Sequence, residues 1–186
     1  MAKLWLGRAA WCLRVLLLPL VGCGDDGQPA AGPAPAPHGQ PAPGPLTITN
    51  RYGRPLIFYA EVDKQGDYFR RMFTDPASAE AVRRTGELPD NALLVLETWF
   101  GPDQSTAFVR QKRGNEFESG SFGPGNPDFS VGLTVSCNNC HARAAVTDRT
   151  FTLPLLRRAL QRNEVQTIVC NQPSFTPCDL AVYQGQ

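Results

Sequence analysis

Residues 136–143 read SCNNCHAR and place Cys137, Cys140 and His141 within five positions. Two thiols three residues apart share one side of a helical turn, and an imidazole directly behind them can rotate beneath the same face. Covalent haem attachment asks for this: each thiol adds to a vinyl group and the histidine coordinates the iron. Other chemistries use part of the pattern. Thioredoxin-like exchange places Cys-x-x-Cys at a helix start after a strand, early in a βαβ unit, whereas here the pair comes late, behind a glycine-rich stretch. A structural zinc needs four ligands. The motif holds three, and the remaining candidates are His38 and the widely spaced Cys170 and Cys178. A plain disulfide between Cys137 and Cys140 leaves His141 without a role. The expectation is one covalently attached haem c held by Cys137, Cys140 and His141, with His141 as the iron ligand.

The rest of the inventory bears on the other side of the iron. The chain has two histidines and two methionines: His38 lies in a proline-rich segment, and Met72 is the sole methionine besides Met1. No methionine follows His141, so a five-coordinate iron, open to small ligands, is favoured over a six-coordinate electron carrier; Met72 is the upstream alternative. Arg110 and Lys112, on one face of a strand with Phe108, are candidate distal groups. Glu97, Glu116 and Glu118 are candidate bases, since a carboxylate buried over iron can accept a proton. Phe100, Phe117 and Phe122 are candidate caps. For each charged residue a solvated surface position is the competing reading, and for each aromatic it is the core.

These residues need a domain and a compartment. Lys3, Arg8 and Arg14 precede the apolar run VLLLPLV (15–21), which is too short to span a bilayer and reads as an export signal. It ends in Leu-Val-Gly-Cys, similar to the lipobox of bacterial lipoproteins, so residues 1–22 are expected to be a lipoprotein signal peptide and Cys23 the lipidated first mature residue. Residues 24–45 hold seven prolines and no large apolar side chain, giving a disordered to polyproline-like tether over 23–45. The folded domain is then 46–186, exported and held by its N-terminal lipid on the periplasmic side of a bacterial membrane. Cys12 leaves with the signal and Cys23 carries lipid, so Cys170 and Cys178 are expected to pair in this disulfide-permissive compartment. The formal charge is +1, but the three basic residues before Cys23 account for it; the remaining chain has 15 basic and 17 acidic residues, a net of −2. With no basic block, nucleic acid is excluded as a partner.

Within the domain, LTITN and PLIFYAEV read as strands around the turn Arg51–Arg54. Asp75-Pro76 caps a helix at about 76–85 that stops at Gly86. ALLVLETWF (92–100) and TAFVRQKR (106–113) form strands around a loop at 101–105, residues 114–132 read as a long irregular loop, and a helix opens behind Thr152 with Leu153, Leu156 and Leu160 inward.

The order of these segments resembles the cytochrome P-460 family: GELPDNALLVLETW (86–99), FVRQK (108–112), a glycine-rich stretch, CNNCH (137–141) and DRTF (148–151), with DYFRRMFTDPASAEAVR (67–83) similar to the family's helix before that strand. Asn91 stands where the family pattern has glycine, a substitution that a left-handed turn tolerates. The resemblance implies an α+β fold, mainly an antiparallel sheet with flanking helices and haem attached in the C-terminal part. It also implies one haem c with His141 proximal, and small nitrogen species such as hydroxylamine or nitric oxide as ligands or substrates; a redox partner protein is expected besides, above all for the alternative of an electron carrier without substrate chemistry. Enzymatic members carry a lysine cross-linked to the haem; after Cys23 this chain has only Lys64 and Lys112.

Overall fold

A computed structural model describes residues 44–172 and 176–186. The expected signal peptide, the lipidated Cys23 and His38 lie outside the described residues. Among the described residues, eight strands form one sheet. They are β1 (Ile48–Arg51), β2 (Arg54–Asp63), β3 (Tyr68–Thr74), β4 (Leu93–Phe100), β5 (Asp103–Arg113), β6 (Glu116–Phe122), β7 (Gly132–Leu133) and β8 (Gln166–Val169). The first seven follow one another in antiparallel order, and β8 returns to lie parallel to β2. Four helices, α1 (Pro76–Thr85), α2 (Val135–His141), α3 (Leu153–Arg162) and α4 (Leu180–Gln184), complete an α+β fold.

Period-two alternation sends each strand's residues to opposite faces. Leu94 of β4 packs in the larger core with Met72, Val82, Leu156 and Leu160, beneath α1 and α3. Leu93, Val95, Ala107 and Val109 pack on the other face with Phe73 and Phe122, under the loop residues Phe129 and Val131. Phe108, Arg110 and Lys112 therefore share the helix-side face. The cap of α1 follows its residue types: Asp75 Oδ1 accepts from Ser78 N at 2.9 Å, Pro76 occupies the first turn, and Gly86 closes it at φ +78°.

Four boundaries differ from those expected of the sequence. Tyr68–Thr74 is a strand, where the family likeness implied helix; its alternating Tyr68, Arg70, Met72 and Phe69, Arg71, Phe73 suit a sheet between two strands, and Asp75-Pro76 starts the helix afresh. The β4–β5 connection is the two-residue turn Gly101-Pro102, so β5 begins at Asp103. Residues 114–122 are a hairpin arm instead of a loop. Arg113 pairs with Glu116 around Gly114-Asn115, with Gly114 at φ +57°, and β6 continues to Phe122. Pairing also starts two residues before 46: Gly44 O accepts from Val165 N at 3.0 Å, and Pro45 bridges Glu164. Among the described residues no helix is long and apolar enough to cross a membrane.

Candidate functional site

The CNNCH stretch is helical. Cys137, Cys140 and His141 lie within the last five positions of α2, which leads through a 3-10 segment, Ala142–Thr147, into Asp148 and Arg149. Both of these residues have φ +52°. Left-handed backbone at two successive non-glycine residues costs of order 1–3 kcal/mol each, so something must hold them. Two side chains of β5 do. Lys112 Nζ bonds Asp148 Oδ2 at 2.5 Å and Leu88 O at 2.9 Å. Arg110 Nη1 donates to Arg149 O at 3.1 Å.

The turn points Arg149 O at His141, 2.9 Å from Nδ1. Arg110 Nη1 also lies 2.8 Å from Nδ1. A carbonyl only accepts and a guanidinium only donates, so these two contacts favour opposite tautomers. With the proton on Nδ1, both Nδ1–H and Arg110 Nη1–H are satisfied by Arg149 O, and Nε2 keeps its lone pair. Burial, reinforced by the Arg110 charge and opposed by the Arg149 carbonyl, pushes the His141 pKa down to about 4, so the ring is neutral at physiological pH. The Phe151 ring meets the imidazole edge-on at 5.4 Å.

Cys137, Cys140 and His141 all open on one cavity of about 520 Å³, a volume in the range of small-molecule sites. Met72, Leu94, Leu96 and Phe108 on the sheet and Phe151 and Tyr183 beyond it make its wall largely apolar. Both thiols are free. The register sets Phe108 against Leu96 and Ser121, with Met72 beyond Leu96, one row from the Arg110–Leu94–Ser119 row that carries His141. At about 3.3 Å per residue those rows are roughly 7 Å apart. On the far side, the Cys170–Cys178 disulfide spans a Cα–Cα distance of 5.8 Å and ties down Cys178, next to Pro177 on the cavity wall. Tyr183 Oη accepts from Cys178 N at 3.2 Å.

A haem fits this donor set: two reduced thiols at i and i+3 on one turn, an imidazole whose Nδ1 is tied to a carbonyl with Nε2 unbonded, and an apolar cavity common to all three. Histidine ligands to metals characteristically have the other ring nitrogen held in this way. Among the described residues, no group of three or more His, Cys, Asp and Glu is arranged to hold a bare metal ion.

The other nominated residues are dispersed. Arg110 lines the cavity but on the His141 Nδ1 side, and Lys112 is spent on Asp148 and Leu88. Glu116 is exposed at the start of β6, and Glu118 pairs with Arg113 at 3.1 Å. Glu97 is wholly buried on the opposite face of the sheet, bound by Arg51, Tyr52 and Trp99. Phe117 lies under the Arg110 guanidinium at 4.1 Å, Phe122 packs in the second core, and Phe100 is partly exposed against Tyr68. Lys64 lies beside the disulfide, donating to Thr176 O at 2.6 Å, and burial pushes its pKa down to about 8. Asn91 has φ +65°, the left-handed geometry expected where the pattern has glycine. Phe151 is the aromatic of the DRTF stretch; the Arg149 carbonyl and Tyr183 carry no such sequence signal, the first being a backbone atom, invisible to residue type. No family model matches the chain, and no curated protein matches it.

Proposed function

We propose that this protein is an exported, lipid-anchored c-type cytochrome with a single haem that binds or oxidises small nitrogen species such as hydroxylamine or nitric oxide. The observation that carries the reading is the convergence of Cys137, Cys140 and His141 on one apolar cavity, with His141 Nδ1 tied to Arg149 O. Bound there, a haem supplies a one-electron iron centre with a coordination position for a small ligand. The chain's own residues set the terms. Cys137 and Cys140 fix the group by two thioether bonds, and the Arg149 carbonyl orients the imidazole and keeps the proton off Nε2. The row formed by Met72, Leu96, Phe108 and Ser121 presents few hydrogen-bonding groups to a ligand, which favours small diatomic or weakly polar molecules over large anions.

Glu97, Glu116 and Glu118 lie outside the cavity wall, so this chain places none of them where it can take a substrate proton, and ligand binding is the better supported half of the proposal. Lys112, engaged by Asp148, supports a positioning role instead of a cross-link. Carbon monoxide added to the reduced protein tests the reading. An immediate Soret shift is the expected result, and an unchanged spectrum rejects an open iron.

One observation favours a second reading, an electron carrier to a redox partner: Met72 is buried and lines the same cavity as His141. Met72→Leu separates the two. An electron carrier using that sulfur loses its thioether-to-iron absorption near the red edge of the spectrum and gains carbon monoxide binding; the ligand-binding protein shows neither change.

A further inference from the structure

Arg110 is a cation enclosed beside a neutral histidine. Its Nη1 is engaged by Arg149 O and lies against His141 Nδ1, while its Nε and Nη2 are buried with no hydrogen-bond partner. Both nitrogens are sealed from solvent, so water screens the charge weakly there. Asp148, the nearby acid, is already bound by Lys112. The Phe117 ring under the guanidinium offers the attraction of its π face, which does not cancel the charge. Opposite Arg110 in the register stands Ser119, whose Oγ is likewise buried and unpartnered. The strand thus delivers a positive charge, offset only in part by Asp148, to the histidine's back.

Resting on the haem reading of the cavity, we propose that Arg110 sets the reduction potential of the site: it shares the Arg149 carbonyl with His141 Nδ1–H and holds its charge on the proximal side, and both effects favour reduced iron. A carbonyl that accepts two donors gives less to each, so the Nδ1–H bond is less polarised and the imidazole donates less to the iron. Hydrogen bonding to a ligating histidine and nearby charge are recognised controls on haem potential. Reduction transfers one electron from a donor protein to ferric iron and removes one positive charge from the site. A fixed cation stabilises the product relative to the reactant, and a weaker donor stabilises ferric iron less. Arg110 is thus a positioning residue, acting through His141.

The test uses the full chain, exported and matured with its haem. Arg110→Gln is expected to shift the one-electron reduction equilibrium at least tenfold toward the oxidised form, a drop of about 59 mV for one electron. The iron–histidine stretching frequency of the ferrous protein is expected to rise, a change that a merely structural role would not produce. Ser119→Asp, which places a carboxylate opposite Arg110 and leaves the arginine in place, is expected to lower the potential in the same direction and serves if Arg110→Gln does not fold. Arg113→Gln, on the exposed end of β5, is the control and should leave the potential unchanged. A potential within threefold of the parent equilibrium in the first two variants, or a rise in either, overturns the proposal. Pyridine haemochrome spectra of the same preparations separate this failure from a failure of the haem reading: absence of haem c from the parent protein rejects both, and its presence with an unmoved potential rejects the role of Arg110 alone.

Discussion

Replacing Lys112 by Met keeps the apolar stem on the helix-side face of β5 and removes the ammonium. Two contacts go with it: the ion pair to Asp148 at 2.5 Å and the bond to Leu88 O at 2.9 Å. The pair is sheltered, with side-chain exposures of 14% and 29%, so it should exceed the fraction of a kcal/mol typical of surface pairs. A hydrogen bond to a charged group contributes about 1.5–3 kcal/mol, and the carbonyl of the buried Leu88, left without a donor, adds to the loss. A destabilisation of about 2 kcal/mol follows, roughly 6–8 °C in Tm for a domain of this size. The loss is also local. Asp148 is one of two successive left-handed residues, and the next carbonyl in the chain holds His141. Thermal unfolding by circular dichroism measures the first effect, and a double-mutant cycle with Asp148→Asn isolates the pair, with a coupling of about 1 kcal/mol or more expected. A Lys112→Met protein within about 0.5 kcal/mol of the parent, with zero coupling to Asp148, would refute the reasoning that β5 side chains hold the strained turn.

Other consequences concern separate parts of the molecule. In a Cys137→Ala/Cys140→Ala chain, which cannot attach haem, His141 is held neutral by burial and by Arg110, with its pKa near 4. The unfolded chain therefore binds the proton more readily, and stability falls as pH drops from about 6.5 towards 4, by up to ~3 kcal/mol. Urea unfolding at several pH values should show this slope, and adding His141→Gln should flatten it. Breaking the Cys170–Cys178 bridge with serines should cost about 2.5 kcal/mol on the loop-entropy account and loosen Cys178 and the adjoining Pro177, read as a lower denaturation midpoint. Glu97→Leu removes the acceptor shared by Arg51, Tyr52 and Trp99; because Arg51 is 31% exposed and keeps its bond to Gln104, the expected destabilisation is about 2–3 kcal/mol. Because Glu97 lies on the far face of the sheet, the absorption spectrum of whatever protein remains folded should be that of the parent.

What residue types could say about the site was largely a matter of spacing and faces. Cys137, Cys140 and His141 lie within five positions, so one turn of helix brings them together whatever the rest of the fold. Phe108, Arg110 and Lys112 alternate, so they share a face, and the structure puts that face towards the cavity. Which side of the imidazole they approach depends on the turn at Asp148 and Arg149, where neither residue is a glycine and nothing in the side chains announces φ > 0. Alternation alone does not say that Arg110 lies against Nδ1 of His141 while Lys112 is bound to Asp148 and Leu88 O. Gly114-Asn115 is a two-residue hairpin signal, but the glycines and prolines at 120–127 give the whole stretch, β6 included, the composition of a loop. The burial of Glu97 was not legible either: alternation sets it on the face opposite Leu94 and Leu96, but which face carries the cavity, and that Arg51 and Tyr52 close over the carboxylate, follow only from the folded sheet.

The intact mass of the mature protein, purified after export from a host that attaches haem, bears most directly on the account. A mass greater than that of the processed, acylated polypeptide by one haem is expected, with the increment lost in Cys137→Ala/Cys140→Ala. A mass equal to polypeptide and acyl groups alone, under conditions where a control c-type cytochrome is matured, would contradict it.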